Sequence, residues 1–455
     1  MAKESIAELI AQLYSSKISR RDFGKRAAAA GLTATLAGQV LAVHATRAQS
    51  PEAGEMPAST TIGEQGFLAS TDTSKGTIKI YSSWPLTGSM EGTGGDAVVA
   101  AQMAFDDFGN ASGGYALSYE ALDDGVAANN GGWEAGKETE NANKAINDAS
   151  AMVLMGTYNS GAGKIAIPIL NSAGMAMISF ANTYPGLTVA IEGVTEEGEP
   201  EVYYPSGARN YMRVCPADQI QGGAGARWAY NEQERRKAYV LDDNSLYGKG
   251  VATVFKNTFQ ELGGEILGAE SYDPTLDNYQ TLMTSIADKG PDIVYCGATV
   301  ENNPAKILQD MRSVMSVDDV IYMGSDGQNN QAFVDGASDA ADGAWLTFGG
   351  YTPDKLLEIG GPGGDYVTRI TDKLGHSPDA YAVYSYESVV AVIQAIARAG
   401  EADRAKILAE LMGTKDFVSL LGYTWSFNEN GDTDSSIIGL SKVIDNQITF
   451  QEAIS

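Results

Sequence analysis

The sequence predicts an α/β fold on parallel sheets, and three observations predict it. From Thr77 onward, short runs rich in Val, Ile, Tyr and Met alternate with longer segments of helical period, the pattern of repeated strand–helix units. The composition, 44% hydrophobic, 9% aromatic and 20% charged, is that of a chain able to bury a core, which excludes disorder along its whole length. The length of 455 residues suits two or three domains of about 150 residues each.

Charge and cysteine content narrow the chemistry. A formal net charge of −27 argues against a nucleic-acid or anionic-membrane surface, since both would be repelled. Cys215 and Cys296 are too few for a disulfide framework or a four-Cys zinc site, and they share no ligand spacing with His44 and His376. They read as packing residues, and neither metal nor cofactor is expected.

Taken in order, the N-terminus comes first. Ser19-Arg20-Arg21-Asp22-Phe23-Gly24-Lys25 precedes an uncharged Ala/Leu-rich run from Ala27 to Val43, with small residues around Ala48. This looks like a twin-arginine export signal, so residues 1–48 are expected to engage the Tat export machinery, with a site near Ala48 where a signal peptidase could cut and retention as an anchor the alternative. No Cys follows the apolar run, so a lipid anchor has no attachment point. Residues 49–75 are Ser, Thr, Pro, Gly, Ala and Glu with scattered apolar residues, and read as a flexible tether.

Strands are expected at 78–81, 151–155, 176–180, 238–241, 293–296 and 320–323, and helices at 95–108, 163–171 and 248–262. The last helix carries Val251, Val254, Phe255, Phe259 and Leu262 at spacings of three and four, with Gly263-Gly264 as its stop. Ligand groups in such sheets come from the loops after the strands, here 82–94, 156–163, 181–185, 242–248, 297–303 and 325–328.

These loops carry the hydroxyls of Ser160, Thr183 and Tyr247 and one carboxylate, Asp326, a set that suits a zwitterion. A ligand carboxylate would sit at the start of the 163–171 helix, near the Ser160 hydroxyl and free backbone N–H groups. An ammonium would pair with Asp326 and a backbone carbonyl such as that of Ala181. Each residue also has an ordinary structural reading, as a cap, a turn residue or a lid on a helix start.

Trp84-Pro85-Leu86-Thr87-Gly88, Gly156 to Ser160, Ala181 to Pro185, Tyr247-Gly248-Lys249-Gly250, Gly324-Ser325-Asp326-Gly327, Tyr384 to Ser388 and Phe427 to Asp432 occur in that order. In motifs and spacing the chain resembles the leucine/isoleucine/valine-binding proteins of ABC importers, which have the type 1 periplasmic binding fold. The resemblance implies two Rossmann-like lobes joined by a three-crossing hinge, with crossings near Cys215, 347–351 and 423–427. Lobe 1 would comprise 76–214 plus 350–424, and lobe 2 would comprise 215–349 plus 425–455. It further implies that Ser160, Ala181 and Thr183 hold the α-carboxylate and α-amino groups, that Tyr247 closes over them, and that Asp326 pairs with the ammonium. Where the family has an aromatic residue after the 293–296 strand, this chain has Thr299, so Trp84, Met90 and Tyr158 become candidates for the side-chain wall.

The implied function is an exported, non-enzymatic binding protein that delivers an amino acid, neutral and aliphatic by the resemblance, to an ABC permease and its ATPase. Alternatives are a urea or short-chain amide binder and a ligand-sensing subunit of a receptor. An exported hydrolase lacks support: His376 follows a predicted helix away from the ligand loops, and no Gly-x-Ser-x-Gly or His-Glu-x-x-His motif occurs. The acidic insertion 192–201 reads as a solvated surface loop rather than a calcium site.

Overall fold

The computed structural model describes residues 69–455, together with 62–64, 67 and, alone, Lys25. The export-signal expectation therefore lies outside the described residues. Of the expected tether, the described part is anchored. Ile62 is buried, Gly63 forms a two-way backbone bridge with Val418, and the Lys75 ammonium donates to the carbonyls of Gly113 (2.8 Å) and Gly400 (2.9 Å).

Six strands form the first sheet: β1 (Thr77–Trp84), β2 (Ala111–Ser112), β3 (Tyr115–Asp123), β4 (Ala151–Gly156), β5 (Ala176–Ser179) and β6 (Tyr211–Arg213). Their order is β2-β3-β1-β4-β5-β6, parallel except for the β2–β3 hairpin. Seven strands form the second: β7 (Lys237–Asp242), β8 (Glu265–Ser271), β9 (Ile293–Gly297), β10 (Ile321–Gly324), β11 (Trp345–Gly349), β14 (Ile438–Ile444) and β15 (Gln447–Ile454). In the order β15-β14-β11-β10-β9-β7-β8, the five from β11 to β8 are parallel, and β14 and β15 close one edge antiparallel. The two-residue strands β12 (Phe417–Val418) and β13 (Thr424–Trp425) pair separately.

All six expected strands form, because β4, β5, β9 and β10 are buried along their whole length and so read as unbroken apolar runs. Strands without such a run include β3, half-exposed for most of its length, and the edge strands β8 and β15. The expected helices form at Glu91–Asp107, Ser160–Ser172 and Leu246–Glu261.

The chain passes between the sheets three times: from β6 into the helix Asp218–Arg227, from β11 into Pro353–Ile359, and from β13 to β14. Two lobes result. The helix Ala382–Ala399 belongs with the first sheet; it is buried nearly all round and seats on Glu91–Asp107, where the Ser385 hydroxyl donates to the Ala97 carbonyl at 2.7 Å. Cys215 and Cys296 are both free and buried.

Candidate functional site

The loops after β4 and β5 are held to each other by Asn182. Its Nδ2 donates to the Thr157 and Tyr158 carbonyls, each at 2.8 Å, while the Ser179 hydroxyl donates to the Thr157 carbonyl at 2.8 Å. The helix Ser160–Ser172 begins three residues earlier than expected, so Ser160 is its first residue. The Ser160 hydroxyl accepts the Tyr184 N–H at 3.3 Å. Arg213, fully buried, fixes the β5 loop from beneath: its Nη1 donates to the Asn182 (3.0 Å) and Tyr184 (2.9 Å) carbonyls, and its Nε donates to Asp432 at 2.6 Å.

Across the cleft, Ser245 caps the helix Leu246–Glu261, which presents Tyr247 from its first turn. Buried Asp243 ties that turn to the β9 loop, accepting from Ser245 N–H (3.0 Å), Thr299 N–H (3.0 Å) and Asn302 Nδ2 (2.8 Å). The two halves enclose a cavity of about 10 Å³ lined by Tyr158, Asn159, Ser160, Ala181, Tyr247, Thr299, Asp326, Gly327 and Tyr381. That is room for about one water. An amino acid enters only if the lobes part or the tyrosines turn aside.

Asp326 is the electrostatic centre of this cavity. It is 3% exposed and accepts hydrogen bonds from the Tyr247 and Tyr381 hydroxyls and, at 2.6 Å, from Gln221 Nε2. Gln221 is held by the Thr347 hydroxyl (2.8 Å), and its Oε1 also accepts the Asp326 N–H (3.1 Å). A second buried carboxylate, Asp218, accepts from the same Gln221 Nε2 at 3.2 Å. Burial raises both acids above the ordinary carboxylate range, and the charge of Asp326 raises Asp218 further. Neither carboxylate takes part in an ion pair among the described residues.

Of the expected site residues, the structure brings Tyr158, Ser160, Ala181, Tyr247, Thr299 and Asp326 to one cavity. Three others it does not. Trp84 is fully buried behind the wall, edge-on to Phe180 at 4.8 Å between ring centroids, because the β1 end points it into the core. Met90 is likewise core. Thr183 is buried outside the lining; its carbonyl accepts the Asp218 N–H at 2.9 Å, and its hydroxyl has no partner.

His376 does not lie away from the ligand loops. Its loop folds back onto the 82–94 loop, where it lines a second, larger cleft of about 280 Å³ with Ser89, Thr93, Asp96 and Asp379. Its Nε2 stands 3.6 Å from Asp96. The insertion 192–201 is not simply solvated either. Glu199 is 4% exposed and accepts from the hydroxyls of Tyr184 (2.8 Å) and Tyr203, so the insertion braces the β5 loop.

Sequence reasoning missed Tyr381, Asn159, Gly327, Gln221 and Asp218. Tyr381 crosses from the first-sheet lobe to Asp326; it stands just before a helix buried along most of its length, three residues ahead of a motif that did draw attention. No local signal marks Gln221, whose partner lies 105 residues away.

A cleft between two α/β lobes, with hydroxyl and backbone groups on one wall and buried acid on the other, defines a solute-binding protein. Residues 77–438 match the family model described as periplasmic binding protein. The chain belongs to this family, and the resemblance to Leu/Ile/Val-binding proteins drawn from its motifs holds. A leucine-, isoleucine-, valine-, threonine- and alanine-binding protein of Pseudomonas aeruginosa is 24% identical over 78% of this chain and 87% of its own length. Among solved structures, a leucine-binding protein from Thermotoga maritima is similar with a TM-score of 0.72, at 22% identity over 83% of this chain and 99% of the other. A solute-binding protein of an ABC transporter from Rhodopseudomonas palustris, in complex with p-hydroxybenzoic acid, is similar with a TM-score of 0.69, at 17% identity over 83% and 96%. No helix among the described residues is long and apolar enough to cross a membrane.

Proposed function

We propose that this chain captures an α-amino acid between its lobes, outside the cytoplasmic membrane, and delivers it to an ABC permease and its ATPase. The lobes divide as 76–214 plus 350–424 and 215–349 plus 425–455, and export follows the twin-arginine route. The observation that carries the reading is Asp326, a buried carboxylate in an inter-lobe cavity without a cation, facing Ser160 and Ala181. Burying an unpaired charge is costly, and an α-ammonium placed there compensates both Asp326 and its neighbour Asp218. The ligand carboxylate then meets the first turn of the helix Ser160–Ser172, whose N–H groups favour an anion. Thr183 Oγ1, buried and unpartnered, is within the same loop and becomes available once the loop adjusts.

Leucine, isoleucine and valine are the reference ligands, from the names of the relatives. The Rhodopseudomonas neighbour makes an aromatic carboxylate the competing ligand class, and urea and small amides are the neutral one. Calorimetry on wild type and Asp326→Asn decides. Truncating one side of a buried charge pair costs about 2–5 kcal/mol, so amino-acid affinity falls about 30-fold or more in the variant. Equal affinities in the two proteins, or binding of benzoates or amides alone, would overturn the reading.

A further inference from the structure

Behind the Asn159–Thr299 side of the cavity stands a second group of acids. Asp124, directly after β3, is fully buried against the Glu138 carboxyl, with which it shares a hydrogen bond, and no other side chain donates to it. Glu138, in the helix Ala135–Asn147, is fully buried too; its Oε2 accepts from the Ser83 hydroxyl. From the opposite lobe comes Glu301, 7% exposed. Its Oε1 accepts from Asn159 Nδ2 at 2.7 Å and its Oε2 is unpartnered.

Asn159 itself lines the cavity, and its Oδ1 is buried without a partner. Gly132 permits the close approach of the lobes here, since a Cβ at that position would lie 3.1 Å from Glu301 Cγ. None of the ion pairs among the described residues involves these three acids. They do not converge as metal ligands do: no group of His, Cys, Asp and Glu among the described residues is placed to hold an ion.

The lobes thus close acid against acid. Burial, with Asp123 and Glu301 nearby, pushes Asp124 up to about 8, and burial pushes Glu301 up to about 7. At neutral pH, bringing the lobes together forces these groups to take up protons or to bury uncompensated charge, and both oppose closure. A ligand side chain that carries a positive charge into this space removes that opposition. A neutral side chain leaves it in place.

We propose that Asp124, Glu138 and Glu301 form a second cation-recognising subsite, so that the captured amino acid is one whose side chain ends in an ammonium or guanidinium. This rests on the α-amino acid reading of the Asp326 cavity, and it replaces the neutral aliphatic side chain expected from the family resemblance. The ligand's α-ammonium meets Asp326, and its side chain runs past Asn159 and Thr299 to the second acidic centre. Thr299 presents a smaller side chain to that route than the aromatic ring expected from the family resemblance.

The test is calorimetry on the full chain at pH 7.5 with lysine, ornithine and arginine against leucine and norleucine, the last being lysine's stem without the ammonium. At least one basic amino acid binds about 100-fold tighter than norleucine, as a buried charge pair requires. Glu301→Gln and Asp124→Asn cut that advantage to about tenfold or less while norleucine affinity holds or improves, which also shows the variants fold. Leucine or norleucine binding as tightly as all three basic amino acids overturns the subsite and leaves the amino-acid function standing. Failure of every α-amino acid to bind overturns both.

Discussion

Buried Glu387 shows what single acids do to this molecule. Its Oε1 accepts from the Ser419 hydroxyl (2.7 Å) and Leu420 N–H (2.6 Å), and its Oε2 accepts from Trp425 Nε1 (3.0 Å), which ties the buried helix Ala382–Ala399 to the β12–β13 turn. Three donors hold the carboxylate down, yet burial outweighs them and pushes it from 4.5 up to about 7. An acid whose folded pKa is raised gives its full stability below its unfolded value and loses it as pH climbs through the folded value. Stability therefore falls between pH 4.5 and about 7, by on the order of 3 kcal/mol for this group. Asp379, pushed up to about 6 by burial, acts in the same direction. Calorimetric Tm measured across pH 4.5 to 8 should fall for the wild type and fall less steeply for Glu387→Gln; parallel curves would remove burial of Glu387 as the cause. The residues legible in the sequence were those whose role is local. Ser160, Ala181, Tyr247, Thr299 and Asp326 each sit immediately after a strand that reads as an unbroken apolar run. Gln221, Asp218 and Tyr381 reach Asp326 only through tertiary folding. Trp84, expected in the loop after the first strand, is instead the last residue of β1 and is buried in the core.

The helix Leu246–Glu261 shows why its glycines are where they are. A Cβ on Gly248 would meet Asp243 Oδ1 at 2.1 Å and the Gly297 carbonyl at 2.5 Å, so the first turn lies directly on the β9 end. Gly250, one half-turn on, faces the opposite lobe: a Cβ there would stand 2.6 Å from the Tyr184 ring. That ring cannot yield freely, because its hydroxyl donates to Glu199 and the Tyr184 backbone carbonyl accepts from Arg213. Overpacking of this kind costs about 1–3 kcal/mol, and here the cost falls on closure. Gly250→Ala is thus expected to weaken ligand binding about tenfold while Tm stays near wild type. A large fall in Tm with unchanged affinity would place the contact in folding instead. Strand–helix alternation made the buried elements readable, since a strand covered on both faces leaves an apolar run. It hid β3 and β8, whose half-exposed faces mix Glu and Ser with apolar residues, and β14 and β15, which close the second sheet antiparallel after the last crossing.

For the molecule as a whole, the bonds across the cleft decide how open the lobes stand. Tyr381, carried by the first-sheet lobe, donates to Asp326 of the second, and Asn159 donates to Glu301. Against them act the acids buried in this arrangement, Asp124 and Glu138 on one side and Glu301, Asp218 and Asp326 on the other. A ligand shifts this balance by its differential affinity for the closed form. The Tyr381 hydroxyl also stands where an ammonium would compete for Asp326, so it both favours closure and must be displaced or shared when the ligand binds. Tyr381→Phe removes that donor and keeps the ring, which packs edge-on to Tyr158 at 5.6 Å and Phe348 at 5.0 Å. Small-angle X-ray scattering without added ligand should then give a larger radius of gyration for Tyr381→Phe than for wild type, and a saturating amino acid should bring the two together. If the two radii agree without ligand, the Tyr381–Asp326 bond does not hold the lobes. If they differ even at saturation, the phenol hydroxyl is needed in the liganded form as well, and Tyr381 must be counted among the groups that contact the amino acid.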